Sequence, residues 1–118
     1  MDEKIIELKS FLKDGKKQTQ QKVDELVSDN RQDEARVYRA SLNIYDIMET
    51  LLDTAKKMAG GDVDCFTQEF HRLASRVSAS WRVSLEKAKE HADFEKIMME
   101  EAKLGVADSV ITRFDELF

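Results

Sequence analysis

The chain has 118 residues, the length of one ordinary domain, and its lack of proline together with only four glycines argues against a loop-rich β protein. It is 42% hydrophobic and 36% charged, which is too apolar for a disordered chain and suits helices with charged outer faces. The 24 acidic and 19 basic residues are interspersed and give a net charge of −5, so we expect no nucleic-acid binding. These features predict an all-α antiparallel bundle of about four long helices in a single domain, residues 1–118.

The cysteine content and the first residues of the chain indicate the cellular compartment of the protein. The single cysteine, Cys65, cannot form an internal disulfide, and Met1 is followed by Asp2 and Glu3 instead of a basic segment with an apolar run. No apolar stretch approaches the roughly 18 residues of a membrane span. We therefore expect a cytoplasmic protein with no membrane partner.

The first predicted helix covers about residues 2–28 and has a narrow apolar seam. Gly15 and Thr19 occupy the middle of this seam, where Gly15 leaves a gap and costs up to about 1 kcal/mol relative to alanine. We expect this helix to be the least firmly held. The seam consists of Ile5, Leu8, Leu12, Val23 and Leu26.

Two longer apolar faces follow. Asn30 reads as the start of a second helix over about 31–59, whose apolar positions cover roughly half of the helical wheel and make it the predicted centre of the core. Gly60, Gly61 and Asp62 then stop one helix and cap the next. A third helix over about 62–91 keeps one apolar phase from Phe66 to Ala92.

The apolar phase breaks beyond Ala92, so a fourth helix over about 93–117, capped by Asp93, is predicted. A single continuous helix over both segments is the alternative.

A second change of the apolar phase, at Gly105, predicts either a kink in the fourth helix or two faces with different partners. In a hairpin, two sets of small residues would lie opposite each other and allow a close crossing. With such a crossing or a bend, Gly105→Ala should cost stability, whereas in a straight exposed helix it should be neutral or stabilising. These sets are Ser80, Ser84 and Ala88, and Ala102, Gly105 and Ser109.

Chemistry-bearing motifs are weak. His71 and His91 lack the Glu-x-x-His spacing of di-iron bundles, and Cys65 has no second thiol in reach, so we predict no metal, no cofactor and no catalytic residue. An alternative is a ligand-binding or enzymatic bundle with a pocket between the helices. That pocket would be lined by Tyr38, Tyr45, His71 and Trp81.

The C-terminal apolar run has two interpretations: it docks into the chain's own core, or it faces a partner helix or another copy. We select it as the candidate interaction surface. The predicted function is a non-enzymatic cytosolic interaction module, an adaptor, chaperone-like or regulatory protein, that self-associates as a homodimer. The run consists of Val110, Ile111, Phe114, Leu117 and Phe118.

Overall fold

The computed structural model describes residues 2–118, which form four helices packed against each other. They are α1 (Asp2–Ser28), α2 (Gln32–Ala59), α3 (Val63–Glu90) and α4 (Phe94–Leu117). The predicted all-α four-helix bundle is confirmed. The chain reverses between α3 and α4, so the hairpin is confirmed and the single long helix is excluded.

Two of the predicted helix starts are confirmed by their hydrogen bonds. The Asp62 carboxylate accepts a bond of 3.1 Å from the backbone N–H of Cys65, and Asp93 accepts one of 3.2 Å from Lys96. Gly60 and Gly61 have φ angles of +57° and +96°. Glycine adopts these angles without the steric cost of a Cβ atom, which explains why the α2–α3 turn lies at this pair.

The assignment of Asn30 to the start of α2 is wrong. Asn30 has a φ of +60°, and the following N–H, of Arg31, donates a 2.8 Å bond to the carbonyl oxygen of Leu26. This left-handed geometry ends α1, because asparagine tolerates it better than other residues with a side chain. Arg31 precedes α2 and gives it no side-chain cap.

The core is concentrated where the chain termini and the α2–α3 turn meet, which we call the aromatic end. The rings of Phe70 on α3 and Phe114 on α4 stack with centroids 4.1 Å apart, and Phe66 lies 5.6 Å from Phe114. Leu8 and Leu12 of α1 belong to the same buried cluster. Helix α2 contacts all three other helices, as its broad apolar face predicted.

The opposite end contains the α1–α2 and α3–α4 turns, and we call it the two-turn end. The buried side chains that α2, α3 and α4 contribute here are mostly small or polar: Ser41, Ser78, Ala88 and Glu100. The C-terminal part of α1 packs on α2 in a separate small cluster that contains Val23 and Ala35. This end therefore buries less apolar volume than the aromatic end.

The seam of α1 is buried as predicted, but Gly15 leaves no gap. A Cβ atom added at Gly15 would lie 2.6 Å from Cε1 of the Tyr45 ring. The ring of Tyr45 thus occupies the space that a side chain at position 15 would need. Glycine at this position lets α1 and α2 approach closely, whereas the sequence pattern alone predicted that it would weaken the contact.

The predicted close crossing of small residues at Gly105 is wrong. Helix α4 is continuous from Phe94 to Leu117, and a Cβ atom added at Gly105 would meet nothing within 4 Å. Ser80 and Ser109 are exposed, and their hydroxyls donate bonds to their own helices, to the carbonyls of Val77 and Val106. Ser80, Gly105 and Ser109 therefore face solvent, and Ala88 is the one fully buried member of the two sets.

The two helical glycines provide a matched pair of substitutions. Gly105→Ala should raise the free energy of unfolding by up to about 1 kcal/mol, because alanine favours helix and no neighbour obstructs it. Gly15→Ala should instead lower the free energy of unfolding by about 1 kcal/mol, because the new methyl group displaces the ring of Tyr45. In a Tyr45→Ala background, Gly15→Ala should stabilise. Urea denaturation followed by circular dichroism measures all three; equal effects of the two glycine substitutions would contradict this packing.

Candidate interaction surface

The C-terminal run selected from the sequence lies largely in the core. Val110 and Phe114 are fully buried, whereas Ile111, Leu117 and Phe118 are partly buried. Phe118 stacks on Phe114 with ring centroids 4.7 Å apart. A partner can therefore reach only the edges of Ile111, Leu117 and Phe118, and the whole run is not available as a surface.

Helix α4 keeps a single buried face along its length, in contrast to the predicted change at Gly105. The buried residues lie at helical spacing, three or four positions apart. The apparent phase slip arises because a carboxylate, Glu100, occupies the buried stripe while Phe94 and Met98 point outward, with 74% and 53% of their surface exposed. The stripe consists of Glu100, Leu104, Ala107, Val110 and Phe114.

The exposed residues of α4 line a groove against α2 at the two-turn end, which we call the α2–α4 groove. It comprises two adjoining depressions of about 280 and 390 Å³ that share Glu34, Val37 and Met98. Val37, Tyr38, Phe94, Met98 and Ala102 supply its apolar part, and three carboxylates supply its rim. These carboxylates belong to Asp33, Glu34 and Glu95.

The groove lies on the side of α4 that meets α1 at the aromatic end. There, Arg113 of α4 donates a 2.7 Å bond to Glu7 of α1. Ala102 lies eleven residues before Arg113, about three helical turns, and so faces the same way. At the two-turn end the apolar cluster of α1 includes only residues of α1 and α2, and no residue of α1 lines the groove. Helix α1 therefore leaves the Met98 side of α4 uncovered.

The rim of the groove carries more negative than positive charge. Arg31 pairs with Glu34, and Arg36 lies 3.1 Å from Glu95 and 3.7 Å from Asp33. Neither arginine is among the residues that line the groove. Three carboxylates thus face two guanidinium groups in exposed pairs, each of which is worth at most about 1 kcal/mol.

Two buried polar atoms in the bundle lack hydrogen-bond partners. Glu100 is 5% exposed; its Oε1 accepts a 3.1 Å bond from Lys103, but its Oε2 has no partner. The hydroxyl of Ser78 is likewise unpaired. An unpaired buried polar atom costs about 1–3 kcal/mol, more when it is charged, so Glu100 weakens the packing of α4 at the two-turn end.

The four residues predicted to line a ligand pocket do not meet. Tyr38 lines the α2–α4 groove, whereas Tyr45 lines a separate groove between α1 and α2. His71 Nε2 lies 2.8 Å from Asp115 on the α3–α4 side, and Trp81 packs against the main core. These side chains therefore lie at different helix contacts and form no common site.

The α1–α2 groove has a volume of about 530 Å³ and is lined mainly by charged side chains. Lys16 lies 2.8 Å from Asp46, and Lys9 lies 2.8 Å from Asp53. The hydrogen bond that the Lys9 ammonium donates to the Asp53 carboxylate raises the pKa of Lys9 above its usual range. These charges are matched within the chain, so the groove has no obvious excess charge to attract a ligand.

Within residues 2–118, no three histidine, cysteine or acidic side chains gather in a way that could hold a metal ion, and Cys65 is partly buried against the main core. None of the four described helices combines the length and apolar character needed to cross a bilayer. Comparisons with known protein families, curated proteins and solved structures yield no match to this chain.

The buried carboxylate of Glu100, which has one unpaired oxygen, gives a stability test. Glu100→Leu should raise the free energy of unfolding by about 1–2 kcal/mol, because it replaces a buried charge with an apolar group of similar length. Lys103→Met should lower it by about 1 kcal/mol or more, because it removes the one partner of that charge. Urea denaturation provides both values. A loss of stability in Glu100→Leu would show that the carboxylate supports the fold.

Proposed function

We propose that this chain is a non-enzymatic helical interaction module that acts in the cytosol by binding a protein, either a different chain or a second copy of itself. Adaptor, chaperone-like and regulatory roles all fit such a module. The observation that carries the proposal is the α2–α4 groove, where apolar side chains from two helices are exposed side by side. The lone cysteine, which cannot form an internal disulfide, supports the cytosolic location.

The apolar side chains of the groove are costly to leave in water. Phe94 and Met98 are 74% and 53% exposed, and Tyr38 beside them is 39% exposed. Single exposed apolar residues are common in proteins, but adjacent ones on neighbouring helices mark binding surfaces more often. Burial of Phe94 and Met98 against a partner would contribute roughly 25 cal/mol for each Å² removed from water.

A complex in the native cell is the direct expectation. The tagged chain, recovered from extracts of the cell that makes it, should elute from a sizing column well above its own mass of 13.6 kDa, with a second protein in fixed stoichiometry. Chemical crosslinking before lysis should give the same pairing. Elution at the monomer mass in extract, with no crosslinked product, would contradict an interaction module.

Self-association has a separate test on the purified chain. Sedimentation equilibrium at micromolar concentration should give a mass of twice 13.6 kDa if a second copy is the partner. A monomer at all concentrations would rule out the homodimer while leaving a different protein partner in place. The two measurements together separate an assembly of identical chains from a mixed complex.

A further inference from the structure

We infer that the α2–α4 groove binds a short amphipathic helix with a basic flank, supplied by another protein. This inference rests on the proposed function and adds the site and the chemistry of the partner. It follows from the shape of the groove, from the sign of its rim charges and from the number of residues that line it.

The groove has the shape that a helix requires. Helices α2 and α4 run in the same direction, since Arg36 near the start of α2 pairs with Glu95 near the start of α4. The valley between them is lined along α4 from Phe94 to Ala102, eight residue steps or about 12 Å. This length accepts about two turns of a partner helix, whose apolar residues at i, i+3 or i+4, and i+7 would contact Val37 and Met98.

The charges of the rim favour a basic partner. Asp33, Glu34 and Glu95 line the groove, and no lysine or arginine lines its two depressions. The two arginines that pair with these carboxylates do so in exposed ion pairs, which a lysine or arginine of a bound helix can replace at little cost. An acidic helix would meet repulsion instead, so the charge sets the choice of partner.

The size of the groove fits a peptide helix better than a second bundle. Eight residues line the two depressions, whereas a stable interface between whole domains uses about 20–30 residues on each side. Peptide helices bind in such narrow grooves through a few anchoring side chains. We therefore assign the groove to a helical segment and not to the homodimer contact.

Binding to defined peptides tests the assignment. Fluorescence anisotropy is measured with three labelled peptides of about 15 residues: an amphipathic helix with lysine flanks, the same apolar pattern with glutamate flanks, and a lysine peptide with its apolar positions scrambled. The lysine-flanked helix should bind at least about tenfold more tightly than either of the others. Its affinity should fall as NaCl rises from about 0.05 M to about 0.3 M, because salt screens the rim charges.

Matched variants locate the binding site. Met98→Ser should weaken binding of the lysine-flanked helix by about tenfold or more, since the Met98 side chain lines the groove and its apolar surface would be buried by the peptide. Met58→Ser is the control, because Met58 has nearly the same exposure, 51% against 53%, and lies outside the groove. Glu95→Gln should weaken binding about two- to fivefold, whereas Glu86→Gln, another paired surface glutamate, should have no effect.

Several results of these binding measurements would contradict the assignment. Equal affinity for the lysine and glutamate helices, no binding of the lysine helix, or equal effects of Met98→Ser and Met58→Ser would each overturn the assignment. Dissociation of a homodimer by Met98→Ser would also overturn it, because a second copy would then occupy the groove. None of these results affects the proposed function, which fails only if the chain forms no complex in its native cell.

Discussion

The stack of aromatic rings between α3 and α4 is the contact on which the rest of the bundle depends. Phe70 and Phe114 are fully buried and 4.1 Å apart, and Phe66 and Phe118 complete the group. Because α1 and α2 place their own buried leucines against these rings, all four helices converge at this end. Large buried rings contribute more to stability than any other core residue type, so this group dominates the packing.

The concentration of large apolar residues at one end leaves the other end with less to bury. At the two-turn end the buried positions of α2, α3 and α4 include Ser41, Ser78 and Glu100, and two of these three side chains have an unpaired polar atom. The buried apolar residues of α1 at this end cluster with residues of α2. The bundle thus buries its large side chains mainly at one end, and the exposed groove lies at the other end.

The same residues of α4 account for both the weak packing and the groove. If Met98 faced inward and Glu100 faced water, α4 would present a conventional apolar stripe and no exposed apolar strip. Natural proteins tolerate such local conflicts mainly where function requires them, because the fold bears the cost. This placement of a carboxylate inside and a phenylalanine outside is the structural reason why the proposed partner site is assigned to this end.

The helices and most of their boundaries were determined by the sequence itself. Local signals that act over a few residues decide them, and such signals can be recognised in the sequence. They are the apolar residues at helical spacing, the caps Asp62 and Asp93, and the glycine pair at the α2–α3 turn. The buried seam of α1 was predictable for the same reason, since every member lies on one face.

Only the tertiary structure decided which side of each helix remains uncovered. The pattern showed that Phe94 and Met98 were out of phase with the residues after Gly105, but it could not show which set faces the core, because this depends on the neighbouring helices. The same limit applies to Gly15, whose missing side chain is replaced by the ring of Tyr45, thirty positions along the chain. Spacing along one helix defines its faces; contacts between distant segments decide which of them is buried and which is left exposed.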